Sequence, residues 1–509
     1  MDQLAPMPAL HEHALPVAEE MRQTDRWAIE DQGIPSLALM ERAGAGLARV
    51  VADVAPHGVV AVACGTGNNG GDGFVAARLL HDAGRDVRVL LAGDPERMTP
   101  DAAANHARLT MSVQPFEPAA LEGAAVAVDA LLGTGFTGEL RPGPLADALL
   151  ALCRADVPVV AADVPSGIDA STGEVDGLAV RAVATATFHR SKPGLWIAPA
   201  KERAGTVHVI DIGIPDGAPV APQIELIAEA PTPASRGAGS TKFSSGHVLV
   251  CGGSLGLTGA PCLAAEAAMR AGAGYVTACV PASLNLVFEQ RLLEVMTRPL
   301  PDEGGALSVA GLGTVLGDAK RRGGALVLGP GLGRADASAA LARELARRAP
   351  VALVLDADGL NAHAGRLEDL ADRAAPTVLT PHAGELGRLL GVPSGEIGAR
   401  RLHFAREAAA RARAIVVLKG DDTLVAAPDG RVGVSRGGAP ALATAGTGDV
   451  LSGVTGALLA AYPDPYEAAC LAVELHRRAG RRAAAEVGSA EGVIASDVVA
   501  ALPRARAVD

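Results

Sequence analysis

The segment ATAGTGDVLSG, at residues 443–453, combines a glycine-rich turn with a carboxylate at the start of an apolar helical stretch. Gly446, Thr447 and Gly448 would present consecutive N–H groups at the helix start, where an anion such as phosphate is stabilised. Asp449 follows directly, and a carboxylate placed there can take the proton of a hydroxyl group as its oxygen attacks phosphorus. The pattern predicts phosphoryl-transfer chemistry with Asp449 as base. The alternative is an aspartate that only stabilises the helix N-terminus.

Four more polar or glycine-rich segments follow predicted strands in the second half of the chain. They are KGDDT (Lys419, Gly420, Asp421, Asp422 and Thr423), GPGLG (329–333), TPHAGE (380–385) and DADGLN (356–361). The first is a polar turn suited to adenosine phosphates, and the glycines of the second let the backbone approach a ligand. Asp356 and Asp358 either order the site or hold magnesium. His382 is a candidate because it lies at a strand end beside these loops.

In the first half, a predicted strand ending at Cys64 runs into GTGNNGGDGF, residues 65–74, which a predicted helix follows. The spacing of the first glycines satisfies the dinucleotide-binding pattern, a weak signal on its own. A glycine-rich turn without a ligand is the alternative. The polar side chains of Asn68, Asn69 and Asp72 are unusual in such a loop and indicate a site.

Two neighbouring strand ends carry matching chemistry. Asp129 closes one predicted strand, and Asp163 and Ser166 follow the next in the segment DVPSGID. Oxygen atoms of Asn69, Asp129 and Ser166 are suited to converge on one hard cation, which prefers oxygen ligands. Asp163 and Ser166 have alternative roles as a turn cap and a helix cap. Three polar strand ends in one sheet favour a site.

Short Val-rich runs alternate with Ala-, Leu- and Arg-rich helical stretches along the whole chain. Strands are predicted at 59–64, 86–91, 124–132, 157–165, 184–188 and 206–215, and then at 246–254, 275–280, 325–331, 351–358, 376–381 and 414–420. Continuous apolar strands between helices are typical of parallel sheets covered on both faces. We expect two three-layer α/β/α domains, with ligands at the carboxyl ends of the strands.

The segment AEAPTPASRGAG, at residues 228–239, has no apolar period and is rich in proline and small residues, as domain linkers are. It predicts a boundary near 228–240, with domains at 1–228 and 229–509. The net charge of −12 disfavours a nucleic-acid partner. We also expect no membrane span, a cytoplasmic location and, from the alanine-rich helices, a homo-oligomer. The six scattered cysteines predict neither a disulfide framework nor a zinc site.

The first half resembles the NAD(P)H-hydrate epimerase family in NNGGDG (68–73), VDALLGTG (128–135), DVPSGID (163–169) and LMERAG (39–44). The resemblance implies a Rossmann-like domain that interconverts the R and S hydrates of NADH and NADPH, with Asp163 in acid–base work. It implies that the hydrated dinucleotide contacts Asn68, Asn69, Gly70, Gly71, Asp72, Gly133, Thr134, Gly135, Phe136, Thr137, Gly138, Glu139 and Asp163. It implies potassium on Asn69, Asp129 and Ser166. Lys192, in SKPG, is a weaker candidate and is expected to be a surface lysine.

The second half resembles the ADP-dependent NAD(P)H-hydrate dehydratases of the ribokinase-like fold in the segments above and in residues 252–276. The resemblance implies dehydration of the S hydrate at the expense of ADP, releasing AMP and phosphate, with magnesium. It implies substrate contacts from Ala260, Gly331, His382 and Asp449. It implies nucleotide contacts from Lys419, Gly420, Asp421, Asp422, Thr423 and Gly448.

The second half departs from that family where Ala383 replaces a common proline and Ala445 a common glycine, and in the segment STKFSSG. The methyl group of Ala445 is expected to be tolerated. Two other functions compete with repair of hydrated NAD(P)H. One is a small-molecule kinase, which would have no use for NNGGDG. The other is a nucleotide-sensing module with degenerate sites, from which Asp163 and Asp449 would be expected to be lost first.

Overall fold

The computed structural model describes residues 13–229 and 236–506. The chain divides into two compact units, the first reaching Glu225 and the second beginning at Leu226. The predicted linker begins just beyond this point, and its residues 230–235 lie outside the described residues. Within the described ranges, no helix is both long and apolar enough to cross a membrane.

The first unit is built on a seven-stranded sheet of order β3-β2-β1-β4-β5-β6-β7, in which all the described pairings are parallel. Its strands are β1 (Val60–Cys64), β2 (Val87–Leu91), β3 (Val113–Pro115), β4 (Val126–Ala130), β5 (Val159–Ala162), β6 (Ala184–Phe188) and β7 (Thr206–Ile210). Its helices are α1 (Ala18–Glu30), α2 (Ser36–Val54), α3 (Asn68–Asp82), α4 (Pro100–His106) and α5 (Pro144–Arg154). A further strand, β8 (Ile224–Leu226), lies where the chain passes into the second unit.

Helices cover both faces of this sheet, as the apolar strands predict. In β1, Val60 and Val62 belong to a buried cluster with residues of α2 and α3. The intervening Ala61 and Ala63 belong to a second cluster with residues of α5. Successive side chains of a strand point to opposite faces, so an all-apolar strand has both faces buried. The predicted three-layer α/β/α arrangement is confirmed.

The second unit contributes nine strands to one sheet, in the order β11-β10-β9-β14-β15-β16-β17-β18-β19. Strands β12 and β13 form a separate two-stranded hairpin. The strands are β9 (His247–Cys251), β10 (Tyr275–Pro281), β11 (Met296–Leu300), β12 (Asp302–Glu303), β13 (Ala306–Leu307), β14 (Ala325–Leu328), β15 (Ala352–Leu355), β16 (Thr377–Leu379), β17 (Ile415–Leu418), β18 (Leu424–Ala426) and β19 (Val432–Val434). The helices are α6 (Gly259–Arg270), α7 (Asn285–Arg291), α8 (Leu312–Arg322), α9 (Asp336–Arg348), α10 (Ala357–Asn361), α11 (Ala383–Leu390), α12 (Ser394–Ala399), α13 (Arg401–Ala412), α14 (Thr447–Ala461), α15 (Pro465–Val487) and α16 (Ala495–Ala505).

At one edge of the second sheet the chain adds two strands that the sequence did not predict. In the order of the sheet, the seven strands from β11 through β10, β9, β14, β15 and β16 to β17 are parallel. Strands β18 and β19 are antiparallel to their neighbours. Only residues 419–423 separate β17 from β18. A parallel neighbour needs a crossover of a dozen or more residues, so this short turn can form only an antiparallel hairpin.

The glycine-rich segment after β1 is also more helical than expected. Helix α3 begins at Asn68, so NNGGDG forms its first turns rather than a loop. A Cβ on Gly70 would lie 2.0 Å from the Gly65 carbonyl oxygen, and one on Gly73 would lie 2.7 Å from Cβ of Ala130. These glycines are required by close packing of the helix on the strand ends. The sequence analysis placed them in a glycine-rich turn before the helix.

Helix α14 is also positioned by a glycine that allows close packing. It packs against α6, and a Cβ on Gly453 would lie 2.0 Å from the carbonyl oxygen of Ala264. Because Gly453 lies one turn beyond Asp449, this contact fixes where the start of α14 reaches the sheet edge.

We predict that Gly453→Ala destabilises the second unit by about 1–3 kcal/mol, because the added methyl group collides with backbone that cannot move aside. The measurement is a urea unfolding curve of the full chain. Gly313→Ala is the matched control, since Gly313 is also helical and a Cβ there meets nothing within 4 Å. It is expected to stabilise the chain by up to about 1 kcal/mol. Equal effects of the two substitutions would contradict the packing explanation.

Candidate active sites

In the first unit, Asp163 follows β5 directly and has an unusual backbone conformation. Its φ angle is +64°, in the left-handed region that non-glycine residues seldom adopt. The Asp163 N–H donates a hydrogen bond of 2.8 Å to the carbonyl oxygen of Ala186 on β6. This backbone bond fixes the point from which the carboxylate projects at the carboxyl end of the sheet.

The expectation that Lys192 is a surface lysine is wrong. Its side chain is 1% exposed, and its Nζ lies 2.5 Å from Oδ1 of Asp163. The ammonium also donates hydrogen bonds of 2.9 Å to Oγ1 of Thr187 and to the carbonyl oxygen of Phe188. Strand β6 ends at Phe188, so Lys192 lies at the same sheet edge as Asp163. Its position just after a strand was the signal that could have placed it in the site.

The other carboxylate oxygen of Asp163 faces the loop that follows β4. Oδ2 accepts a long hydrogen bond of 3.3 Å from the N–H of Thr134. A Cβ built on Gly133 would lie 3.4 Å both from this oxygen and from Cγ of Asn69. Three segments predicted from sequence, those after β1, β4 and β5, therefore meet at Gly133.

Two further carboxyl groups share this edge. Asp72 is buried on α3, and burial, together with the nearby Asp163 and Asp25, raises its pKa well above the usual range. Burial raises the pKa of Asp25, on α1, to about 6, with Lys192 opposing and Asp163 adding to the shift. Sequence reasoning missed Asp25, because nothing in its surrounding helix marks it as different from an ordinary polar face.

The three residues proposed to bind a cation are buried beside one another. Asp129 is fully buried, with Oδ1 2.6 Å from Oγ of Ser166 and Oδ2 2.8 Å from the Ser166 N–H. Burial raises the pKa of Asp129 to about 6, although the hydrogen bonds from Ser166 oppose this. Asn69 donates from Nδ2 to the Leu132 carbonyl oxygen at 2.8 Å, while its buried Oδ1 has no hydrogen-bond partner. An orphaned oxygen near a buried carboxylate fits a hard cation such as potassium.

The remaining predicted substrate contacts of the first unit divide between helix and loop. Asn68, Gly70 and Gly71 belong to the first turns of α3. Oδ1 of Asn68 accepts a hydrogen bond of 2.6 Å from Oγ1 of Thr99. The loop after β4 is half-buried or exposed, and its predicted members are Gly133, Thr134, Gly135, Phe136, Thr137, Gly138 and Glu139.

In the second unit, a glycine in the left-handed conformation comes directly before α14. Gly446 has a φ angle of +88° and precedes Thr447 at the first helical position. Asp449 lies in this first turn, half-buried, and burial raises its pKa to about 7. Asp356, Glu385 and Asp358 add to that shift, and Lys419 opposes it. The exposed Ala445 keeps its methyl group outside the protein interior.

Lys419 contacts two carboxylates at this edge, those of Asp356 and Glu385, and interacts with the charge of a third, Asp449. Its Nζ lies 3.0 Å from Oδ1 of Asp356 and 3.6 Å from Oε2 of Glu385. A Cβ built on Gly448 would lie 3.5 Å from the same nitrogen, so the ammonium lies at the start of α14. Burial lowers the pKa of Lys419, but Asp356, Glu385 and Asp449 outweigh it and the net shift is upward. Lys419 stays protonated at neutral pH.

Asp356 and Asp358 are occupied by protein contacts. Besides Lys419, Asp356 accepts a hydrogen bond of 2.6 Å from Oγ of Ser452. Asp358 accepts from the Gly333 N–H at 3.0 Å and from Asn361 at 3.0 Å. Of their two expected roles, ordering the site agrees with these contacts.

The predicted substrate residues of the second unit lie at neighbouring loop ends. A Cβ on Gly331 would lie 3.3 Å from Cβ of Ala260, so these two are adjacent. His382 caps α11, with Nδ1 accepting hydrogen bonds from the N–H groups of Gly384 at 3.0 Å and Glu385 at 3.4 Å. Its side chain is 54% exposed and faces solvent.

The turn expected to hold the nucleotide, residues 419–423, has both exposed and buried residues. Gly420 and Asp421 are exposed, and Asp421 accepts a hydrogen bond of 2.8 Å from the Gly438 N–H. Asp422 is buried and ion-paired with Arg401 at 2.9 Å. Thr423 donates a hydrogen bond of 2.6 Å to the Gly420 carbonyl oxygen. The last two residues therefore shape the turn, and the first two form its surface.

Comparison with known proteins gives concordant results for both units. Residues 36–194 match the family described as YjeF-related protein N-terminus, and residues 248–504 match the family described as NAD(P)H-hydrate dehydratase. The chain is 40% identical to the bifunctional NAD(P)H-hydrate repair enzyme Nnr of Salinibacter ruber, over 96% of this chain and 95% of that protein. It is 39% identical to the enzyme of the same name from Moorella thermoacetica, over 96% of each chain.

A solved structure is similar to the second half. It is the ADP/ATP-dependent NAD(P)H-hydrate dehydratase of Bacillus subtilis, co-crystallised with ATP and Mg²⁺. The sequences are 30% identical, and the similarity covers 53% of this chain and 92% of that one, with a TM-score of 0.46.

We predict that Lys419→Met raises the pKa of Asp449 above about 7, because the substitution removes the cation that opposes burial and the neighbouring carboxylates. The measurement is an NMR titration of the full chain labelled with ¹³C at the aspartate carboxyl carbons. Lys320→Met, which removes an exposed lysine of α8, is the control and should leave the titration unchanged. An unchanged Asp449 titration in Lys419→Met would contradict the assigned interaction.

Proposed function

Because this chain belongs to the family of bifunctional NAD(P)H-hydrate repair enzymes, it carries an epimerase and a dehydratase, and we propose that Asp163 and Asp449 are their acid–base residues. The first unit interconverts the R and S hydrates of NADH and NADPH, and the second dehydrates the S hydrate. A kinase making a stable phosphorylated product would have no need of the first unit. A degenerate sensor would not be expected to keep both aspartates in polar clusters.

The observation that carries the dehydratase assignment is the placement of Asp449 in the first turn of α14, beside Gly448 and the ammonium of Lys419. N–H groups at a helix start stabilise a transferring phosphoryl group. A carboxyl group whose pKa is about 7 is half ionised near neutral pH and is well matched to accept a hydroxyl proton. Lys419 adds a positive charge where negative charge develops.

The proposed reaction uses ADP as the phosphoryl donor. Asp449 takes the proton of the C6 hydroxyl as its oxygen attacks the terminal phosphorus of ADP, and AMP leaves. The C6–O bond of the phosphorylated hydrate then breaks, phosphate departs and a proton leaves the neighbouring ring carbon, which restores the dihydronicotinamide. Phosphate is a far better leaving group than hydroxide. Lys419, Gly420, Asp421, Asp422, Thr423 and Gly448 are proposed to form the nucleotide site, and Ala260, Gly331 and His382 to contact the hydrate.

Magnesium is proposed to enter with the nucleotide phosphates. Asp356 and Asp358 already accept hydrogen bonds from Lys419, Ser452 and backbone or amide N–H groups, and we propose that their role is to order the site. No step is therefore assigned to a magnesium ion held by them. They order the start of α14 and the loop after β14.

In the first unit, the proposed epimerisation exchanges the hydroxyl group between the two faces of C6. A proton is delivered to the departing oxygen and another is removed from the arriving one, so the composition of the hydrate does not change. Asp163 is proposed to take part in this proton transfer, with Oδ2 facing the loop of Gly133–Glu139. Asn68, Asn69, Gly70, Gly71 and Asp72 are proposed to hold the hydrate from α3.

Potassium is proposed to bind Asn69, Asp129 and Ser166. The unpartnered Oδ1 of Asn69 and the buried carboxylate of Asp129 support this assignment. When bound, the ion would balance the charge of Asp129 and tie the start of α3 to the ends of β4 and β5. The protein is further proposed to act in the cytoplasm, where its nucleotide substrates form, and to assemble as a homo-oligomer.

We predict that Asp449→Asn reduces ADP-dependent recovery of the 340 nm absorbance from the S hydrate by at least about 100-fold, because the base is lost. The unchanged chain should lose dehydration activity as the pH falls through about 7, as the carboxylate becomes protonated. R-to-S epimerisation, followed by chromatography, serves as the internal control and should persist. Near-normal dehydration by Asp449→Asn would refute the assigned base.

We predict the converse pattern for Asp163→Asn. The amide keeps the shape of the side chain but cannot accept a proton, so R-to-S exchange should slow by at least about 100-fold while dehydration of pure S hydrate continues. Both rates are measured on the same full-length preparation, by chromatography and by absorbance. Loss of both activities together would point to misfolding and would count against a separate role for Asp163.

A further inference from the structure

Lys192 is buried in the epimerase unit at a place where a lysine is costly. A buried ammonium needs either a paired carboxylate or a full set of hydrogen bonds. Lys192 has both, since its Nζ contacts Asp163 Oδ1 at 2.5 Å and Thr187 Oγ1 and the Phe188 carbonyl oxygen at 2.9 Å. These three contacts use all three donor hydrogens of the ammonium. None is left for a substrate, so Lys192 acts only through Asp163.

The two oxygens of Asp163 have different surroundings. Oδ1 contacts the ammonium and accepts a second bond of 3.3 Å from Oγ1 of Thr187. Oδ2 has only the long bond from the Thr134 N–H, and it faces the position that a Cβ on Gly133 would occupy. The Asp163 side chain is 12% exposed, against 1% for Lys192. The carboxylate is therefore held from the buried side and open on the side of the substrate loop.

The amino-acid composition supports a specific requirement for an ammonium. The chain contains 45 lysine and arginine residues, and only five of these are lysine. Residues 1–225 contain two lysines, Lys192 and Lys201. A planar guanidinium cannot direct three donors to acceptors around one nitrogen, whereas an ammonium can. Lysine at this position, in a chain that otherwise uses arginine, agrees with that geometry.

We propose that Lys192 is a positioning residue of the epimerase, whose ammonium holds Oδ1 of Asp163 and so directs Oδ2 toward the hydrated nicotinamide ring. The inference rests on the proposed acid–base role of Asp163. Without the ammonium, Asp163 would be a third carboxyl group in a cluster with Asp25 and Asp72. The Lys192 ammonium supplies the positive charge beside Asp163 Oδ1, at 2.5 Å, and so offsets the repulsion between these neighbouring carboxyl groups.

Three other titratable groups face this pair from the surrounding elements. They are Asp25 on α1, Asp72 on α3 and His189 directly after β6. Burial and the nearby acids raise the pKa of Asp72 well above the usual range, and burial with nearby cations lowers the pKa of His189 to about 4. His189 is therefore neutral near pH 7. Asp25, with a pKa of about 6, is the group that titrates beside the pair.

The test compares Lys192→Gln and Lys192→Arg in the full-length chain. Glutamine keeps a hydrogen-bond donor but removes the positive charge beside Asp163. We expect epimerisation at neutral pH to fall by at least about tenfold and the midpoint of its acidic limb to rise by about 1–3 pH units. Lys192→Arg retains the charge, so its midpoint should stay near that of the unchanged chain although its kcat falls.

Lys201→Met is the matched control, because Lys201 is the other lysine of this unit and lies outside the site. It should keep both the epimerisation rate and the pH midpoint. Dehydration of the S hydrate and the thermal unfolding curve of each variant report on folding. A uniform loss of epimerisation by Lys192→Gln at every pH, or an unchanged profile, would overturn the proposal.

Asp163→Asn measured in parallel separates the two claims. An active Asp163→Asn would refute the proposed function of Asp163 itself. An inactive Asp163→Asn combined with an unshifted midpoint in Lys192→Gln would refute only the role of Lys192. An inactive Asp163→Asn with the upward shift supports both.

Discussion

Parallel sheets collect the ends of many strands at one edge, and in both units that edge carries several buried or half-buried carboxyl groups. Each such group loses hydration energy and is repelled by its neighbours. In each unit a lysine ammonium compensates, the buried Lys192 beside Asp163 and the half-buried Lys419 beside Asp356 and Asp449. The geometry of both sites depends on this balance, since removing either cation leaves a cluster of carboxyl groups without an opposite charge.

The balance also separates the protonation states of neighbouring acids. In the first unit, the carboxylate that contacts the ammonium is Asp163, while Asp72, without such a contact, has a strongly raised pKa. In the second, Asp356 takes the close contact with Lys419, and Asp449 is left with a pKa of about 7. Environments that push neighbouring carboxyl groups apart in pKa are how enzymes obtain an acid and a base from one residue type.

Each sequence pattern predicted only the part of the fold or of the candidate sites that depends on that pattern. Apolar runs between helical stretches predicted the two three-layer units, and the rule that parallel strand ends converge predicted that Asn69, Asp129 and Ser166 lie together. Lys192 was misjudged because burial of a lysine is decided by its partners, and those lie on another strand. Asp25 was missed for the same reason, since its neighbours come from α3 and from the end of β5. The antiparallel strands β18 and β19 were not predicted, because each has only three residues and so gives too short an apolar run.

Glycine was the most misleading signal, and the reason is physical. In α3 and α14 the glycines lie inside helices, where each costs about 1 kcal/mol relative to alanine. Gly70 and Gly453 occupy places where a Cβ would lie 2.0 Å from a backbone carbonyl oxygen. These helices are intrinsically less stable than they would be with alanine at those positions. Only a helix without those side chains, however, can bring its first turn to the strand ends. The helix N-termini of both sites depend on that close approach, so the glycine-rich motifs that suggest flexible loops are instead the rigid supports of the candidate catalytic groups.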